Sequence, residues 1–353
     1  MKKKILHVLA SSSFSGAESV AITIITNMDK KYDMAYTSPT GKIEKKLKQN
    51  NITYYGIKKL NIFELKKTIR EYNPDIIHAH DYRASFLCAL LKGKKKLILH
   101  IHNNAPWIKK SCLKSMIFLF SSKRADKILI VSNSIKNEYI FSKIVKDKFI
   151  CIGNPVSSKN IISQVDNNQI QKKYDICCIA RISRVKDPIT FLNIICKLKK
   201  KIPNIIAIWI GGNDDIVYTN SILNEVKKLK LEKNVKFLGW KEDPYTYMIK
   251  SKIFLLTSKY EGYGLAAFEA LSLGLPCVVS NVGGLPSVVD DSCGKLCEKG
   301  NVNQFYDEVI KLLTEKSYYL SKSQNAILKS NQLSNLEKYC KKLKQVYKGV
   351  CDE

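Results

Sequence analysis

The sequence predicts an α/β protein made of two Rossmann-like, doubly wound parallel-sheet domains. Three observations carry this. Short apolar segments alternate with helical segments along most of the chain. The alternation runs twice, interrupted by a polar, aperiodic stretch at 157–173 rich in Ser, Asn and Gln. And 353 residues suffice for two domains with cores of their own.

In the first series an apolar strand at 5–10 leads into the small-residue loop S-S-S-F-S-G-A and a helix at 18–28. Strand, small loop and helix form the phosphate-facing first unit of many doubly wound sheets, but G-x-G-x-x-G is absent, so no dinucleotide fingerprint is present. Strands are expected at 33–38, 52–55, 75–79, 96–101, 127–131 and 149–152, with helices at 43–49, 63–71, 83–91, 112–121 and 134–141 between them. In the second series the strands fall at 174–180, 205–210, 235–238, 252–256 and 276–279, and the helices at 188–199, 221–229, 244–250, 265–273 and 302–314. The tail at 317–348 reads as helical, with Leu320, Ile327, Leu328, Leu333, Leu336, Leu343 and Val346 as its buried face. The chain thus divides into a first domain at 1–156, a linker at 157–173, a second domain at 174–330 and a C-terminal helix at 331–353 expected to cross back to the first domain. Sheets of this kind bind ligands outside the carboxyl ends of their strands, which points to a cleft between the domains.

Composition narrows the function classes. No apolar run approaches the ~20 residues that span a bilayer, and Lys2, Lys3 and Lys4 precede only a short strand, not a signal peptide. A cytoplasmic protein is expected, and the 11 cysteines, odd in number and without C-x-x-C, read as small buried hydrophobes of a reducing compartment. The net charge of +28 is nearly all lysine and makes a field that attracts acidic lipid, nucleic acid or phosphorylated substrates. Nucleic-acid readers add arginine forks and aromatic platforms; none is seen, and no nucleic-acid partner is expected. Lys92, Lys94, Lys95 and Lys96, then Lys109 and Lys110, then Lys123 and Arg124 form basic clusters in the first domain, with Trp107, Ile108, Leu113, Met116 and Phe120 beside the second. These make an acidic membrane surface a candidate partner.

The segment K-Y-E-G-Y-G-L-A-A-F-E-A-L carries the strongest chemical signal. Glu261 and Glu269 flank a glycine-punctuated loop, and the helix start near Leu265 offers free N–H groups and the positive end of a dipole, an anion site. One strand–loop–helix unit thereby pairs a phosphate site with a carboxylate for hydroxyl groups; a core helix with a glycine cap is the competing reading. Arg181 and Lys186, in A-R-I-S-R-V-K-D-P after a strand, can both face a diphosphate, with Arg184 between them open to either role. Four of the five histidines, His78, His80, His100 and His102, end two neighbouring strands. His102, the last of its pair, is favoured as functional because it is expected to lie furthest into the cleft; no third ligand of the usual spacing is fixed for a metal. D-x-D is absent, which argues against a donor-bound divalent metal.

E-G-Y-G-L-A-A-F-E-A-L-S-L-G-L-P-C-V-V-S-N-V-G-G-L-P resembles the E-x7-E signature of the retaining glycosyltransferases of family 4, which have the GT-B fold. S-G-A-E, H-A-H-D, H-I-H-N, A-R-I-S-R-V-K-D-P and F-L-G-W-K-E-D extend the likeness over most of the chain. The likeness is to enzymes of bacterial capsule, exopolysaccharide and lipopolysaccharide assembly. It implies a metal-independent transferase with no cofactor, moving a hexose from a nucleotide diphosphate sugar, a UDP-sugar foremost, to a saccharide acceptor carried on a lipid, at the inner face of the cell membrane. It also implies roles. Glu261 and His102 lie by the transferred sugar, Glu269 binds ribose, and Gly264 and Leu265 offer N–H groups to the phosphates. Arg181 and Lys186 hold the diphosphate, Gly16 lets the first loop approach the donor, and Gly239 and Trp240 lie near the base. Ser15 and Asp187 stand where the family commonly has glycine, and Asn154-Pro155 where Asn-Gly is frequent. A nucleotide-sugar epimerase of the same fold and a basic nucleic-acid-binding protein are the alternative readings.

Overall fold

The computed structural model describes residues 2–13, 16–28, 31–165, 171–213 and 215–352. Phe14 and Ser15 of the first loop, and 166–170 of the expected linker, lie outside them. The chain separates into two units, 1–155 with 335–353, and 156–334.

The first unit runs β1 (Lys3–Val8), α1 (Gly16–Asn27), β2 (Tyr32–Pro39), α2 (Ile43–Gln49), β3 (Thr53–Ile57), α3 (Ile62–Tyr72), β4 (Ile76–His80), α4 (Tyr82–Leu91), β5 (Lys96–Ile101), α5 (Leu113–Arg124), β6 (Lys127–Ile130), α6 (Asn133–Glu138) and β7 (Phe149–Cys151). Its strands are all parallel, in the order β3-β2-β1-β4-β5-β6-β7. Ile5, Leu6, Ile76, Ile77, Leu97, Leu99, Ile128 and Leu129 are fully buried, as a sheet covered on both faces requires.

The second unit continues with α7 (Ser158–Ile162), β8 (Tyr174–Ile179), α8 (Pro188–Lys199), β9 (Ala207–Ile210), α9 (Ile216–Lys228), β10 (Val235–Phe237), α10 (Tyr245–Ile249), β11 (Ser251–Leu256), α11 (Leu265–Ser272), β12 (Cys277–Ser280), β13 (Gly294–Cys297), α12 (Val302–Thr314) and α13 (Lys316–Leu333). Its parallel sheet has the order β10-β9-β8-β11-β12-β13. The final helix, α14 (Leu336–Asp352), falls with the first unit.

Both sheets reverse their winding direction once, at β1/β4 and at β8/β11, and the loops leaving those strands are where a doubly wound sheet takes its ligand. Three local differences from the sequence reading have physical causes. Ser158–Ile162 is helical where a linker is expected, because Ser157 caps Asn160 N–H at 3.3 Å and α13 reaches it through Ser334 and Asn331 at 2.9 and 2.7 Å. The helix expected from 221 begins at Ile216, because Asp215 accepts the Tyr218 N–H at 2.9 Å. The tail is helical as expected, in two helices that break at Ser334, but of its expected buried face Leu320, Ile327 and Leu328 are exposed and Leu343 and Val346 are buried, because only α14 lays an apolar stripe inward.

Candidate functional site

In the second unit the turns after β8 and β11 are tied together. Lys259 N–H donates to Val185 O at 2.7 Å and Thr257 Oγ1 to Asp187 O at 2.9 Å. Asp187, where the family commonly has glycine, adopts the left-handed conformation itself, with φ of 50°. Thr190 Oγ1 donates to its carboxylate at 2.8 Å and Lys259 pairs with it at 3.4 Å, so side-chain partners offset the strain of a non-glycine there. The turn brings Lys186 Nζ to 2.5 Å from Glu261 Oε2, and Ser258 Oγ to 3.4 Å from the same oxygen. Two expected site residues from separate loops are thus in direct contact. Arg181 is exposed at the end of β8. Arg184, which the sequence left open, stacks on the Tyr218 ring at 4.5 Å.

The backbone under Glu261 is crowded. A Cβ on Gly283 (φ 57°) would lie 1.7 Å from Glu261 O, and one on Gly284 2.4 Å from Gly262 O. The G-G of the signature therefore lets the β12–β13 connection press against the loop that presents Glu261. Gly264, with φ of 98°, caps α11; Ala267 and Phe268 N–H donate to its carbonyl at 3.0 Å, and the N–H groups of Leu265 and Ala266, which precede the intrahelical ladder, open the helix toward an anion. One to two turns on, Glu269 keeps a partial opening to solvent. Burial still pushes its carboxyl up to about 7, against a hydrogen bond donated by Tyr245 at the start of α10 that pulls it down. Tyr245 is a partner of an expected site residue that sequence reasoning missed; the W-K-E-D-P-Y run carried the signal, since Asp243 caps the helix through the Tyr245 N–H at 3.0 Å. Along the same sheet edge Gly211 N–H donates to Gly239 O at 2.9 Å, and Trp240 beside it is 46% exposed.

The first unit holds the other two expected residues. Gly16 opens α1 and is exposed. His102 lies just beyond β5, with its Nε2 2.8 Å from His80 Nδ1. The structure adds what the sequence did not: His7 on β1 is in register with His78, and His80 with His100, so all five histidines meet on one face. Burial pushes His7 and His102 down to about 3, and holds His78, His80 and His100 well below the ordinary histidine value. His102 is thus a neutral hydrogen-bonding group at physiological pH and not a cationic acid.

The expected membrane surface needs correction. Ile108 is fully buried and Trp107 packs edge-on to Tyr82 at 4.7 Å, so neither is free for lipid. Lys92 pairs with Asp126 at 3.0 Å, Lys96 with the same carboxylate at 3.7 Å, and Lys95 bonds Asn73 at 2.7 Å, so that cluster is bound into the fold. On α5, however, the buried positions are Ser115, Phe118, Ser121 and Ser122, while Leu113 (73%) and Met116 (56%) are exposed.

Residues 16–159 match the family described as Glycosyltransferase Family 4, and residues 160–330 the one described as Glycosyl transferases group 1. The chain is similar to the N-acetyl-alpha-D-glucosaminyl L-malate synthase of Bacillus anthracis, 25% identical over 81% of this chain and 78% of that one. It is equally similar, at 25%, to the O-antigen biosynthesis glycosyltransferase WclY of Escherichia coli, over 99% of both chains. The crystal structure of Anabaena HepE in complex with UDP and glucose matches with a TM-score of 0.86 over 98% of this chain and 100% of that one, at 18% identity. The fold is GT-B, as the motifs implied.

Proposed function

Since the chain belongs to the family 4 glycosyltransferases and is a glycosyltransferase of polysaccharide or glycoconjugate biosynthesis, we propose that it moves a hexose from a UDP-sugar to a saccharide acceptor carried on a lipid, with retention of configuration and without a metal at the diphosphate. The observation that carries this reading is the contact of Lys186 with Glu261 at the mouth of α11, with Glu269 further along the same helix. Arg181, Lys186 and the α11 N-terminus meet the charge that develops on the diphosphate as the bond to the sugar breaks. Glu261, oriented by Lys186, contacts the transferred sugar and opposes positive charge at its anomeric carbon. Glu269 accepts ribose hydroxyls, Gly239 and Trp240 flank the base, Gly16 admits the donor to the first loop, and neutral His102 hydrogen-bonds the sugar or acceptor. The UDP and glucose held by HepE support a uridine donor, and the outward apolar face of α5 supports a lipid-borne acceptor and a peripheral place on the inner face of the cell membrane.

A thermal-shift screen of UDP-, GDP-, ADP- and dTDP-sugars tests the donor: a ligand at ~100 times its Kd stabilises by about 2.7 kcal/mol. A UDP-sugar is expected to give the largest shift, the product anomer to match the donor's, and turnover to persist when magnesium is withheld. Activity that only added magnesium restores would overturn the metal-free diphosphate. Epimerised sugar without acceptor would overturn transfer itself.

A further inference from the structure

We propose that His80, His100 and His102 form a binding site for one transition-metal cation of the imidazole-favouring kind, zinc or cobalt, at the carboxyl end of the first sheet. One nitrogen from each of the three rings lies within 4.8 Å of the others. His80 is the last residue of β4, His100 its register partner on β5, and His102 the same-face position two residues on. His100 Nε2 and His102 Nδ1 are buried and have no hydrogen-bond partner. Buried polar nitrogens are ordinarily satisfied, so the orphan His100 Nε2, the nitrogen which that ring has open toward the triad, points to a missing electrophile; His102 would bind through Nε2 and leave its Nδ1 outside the first shell.

The surroundings hold the rings as metal-site partners do. His80 Nε2 lies 2.9 Å from His7 Nδ1. His100 Nδ1 lies 3.2 Å from His78 Nε2, and His78 Nδ1 in turn 2.7 Å from the Tyr347 hydroxyl of α14. Each of these two ligands therefore has its other nitrogen anchored, which fixes ring orientation and tautomer. His7, His78 and Tyr347 are positioning residues. His80 Nδ1 and His102 Nε2, now 2.8 Å apart, share one proton. A cation bound between them takes lone pairs in its place and needs them about 3.4 Å apart, a shift of about half an ångström. The rival triad of His7, His78 and His80 is weaker, because both nitrogens of His78 are engaged by groups outside that triad, Tyr347 and His100, whereas His80 Nδ1 is held only by a fellow ligand, His102. His102, partly open to solvent, is the way in. The site lies in the first unit and shares His102 with the sugar or acceptor contact proposed above, so a bound cation would hold that ring through Nε2; the diphosphate chemistry itself uses no imidazole.

The test uses the full-length, metal-stripped protein. Cobalt(II) titration is expected to give one equivalent with visible ligand-field bands, and X-ray absorption of the zinc form a first shell of imidazole nitrogen without sulfur. His100→Gln is expected to weaken cobalt binding at least about 100-fold and His7→Gln, which removes only an anchor, about tenfold. Zinc raises the melting temperature of the wild type by several degrees and not that of His100→Gln. If His100→Gln does not fold, the X-ray absorption of the wild type still decides. No cobalt bands, sulfur in the first shell from any of the 11 cysteines, or affinity unchanged in a folded His100→Gln overturns the site. Bands that survive His100→Gln but vanish in His7→Gln overturn the assigned triad.

Discussion

Glu269 is under two opposed demands: as a ribose acceptor it must ionise, yet its surroundings disfavour the charge. The unfolded chain ionises it near 4.5 and the folded protein near 7. Below about 4.5 both states hold the proton and nothing is lost. Between the two values only the unfolded chain ionises, so stability falls as pH rises, and above about 7 the loss is complete and constant. The gap is worth at most about 3 kcal/mol, and less because the side chain keeps some solvent contact. Glu269→Gln is therefore expected to raise the melting temperature of the free protein at pH 8 and to change it little at pH 4.5. The same change weakens UDP binding in calorimetry, and Glu269→Ala does so by roughly 1.5–3 kcal/mol. A substitution that lowers stability at both pH values, with unaltered UDP affinity, would mark Glu269 as purely structural. Arg181→Ala and Lys186→Ala are expected to cut turnover at saturating donor by about 100-fold while shifting the melting temperature little, because their contacts strengthen as charge develops on the leaving diphosphate. Near wild-type turnover in either would remove that residue from the diphosphate.

Among the elements, the strand–loop–helix at β11–α11 depends on a neighbour that its own sequence does not reveal. A Cβ at Gly283 would collide with Glu261 O, and the backbone there is left-handed. Gly283→Ala is expected to displace the Glu261 loop and lower kcat/KM more than tenfold in a protein that still folds. Gly300→Ala, left-handed but with open space around it, is the control and should cost only the strain of about 1–3 kcal/mol. Equal activity loss in both would show strain, not the collision, to be the cause. The same contrast separates what was legible in the sequence from what was not. Strands and helices with strong periodicity, such as β5 and α8, were readable because the pattern is local. The strand β13 was not: G-K-L-C is short, and Gly294 is required by the close approach of Cys277 O, a long-range fact. Of the site, Lys186 and Glu261 were named from motifs, but their contact needed β8 beside β11. His7 escaped because β1 lies next to β4 in the sheet, not in the chain, and Tyr347 is 269 residues from the histidine it meets.

For the whole molecule, the +28 charge is a field, and α5 gives it a place to act. Helices of folded domains ordinarily turn their apolar stripe inward. Here serines and Phe118 face in while Leu113, Met116 and Phe120 face out at 73%, 56% and 39% exposure, with Lys110, Lys114 and Lys123 exposed on and beside the helix. The arrangement suits the headgroup boundary of an anionic bilayer, where each lysine contributes about 1 kcal/mol, screened within about 8 Å at physiological salt, and the apolar side chains add a salt-resistant part. A lipid-borne acceptor would then be met by its enzyme on the surface that holds it. Among the described residues no helix is long and apolar enough to cross a membrane. In flotation the protein should rise with anionic vesicles more than with neutral ones, and less as salt is added. Lys110→Gln with Lys114→Gln should remove the preference for anionic lipid, whereas Leu113→Ser with Met116→Ser should remove what persists at high salt. Lys95→Gln, whose native ammonium is bound to Asn73 and Pro74, should change neither. Equal flotation on neutral and anionic vesicles, or none on anionic vesicles at low salt, would leave the lysines as solvating groups and the acceptor as a soluble saccharide.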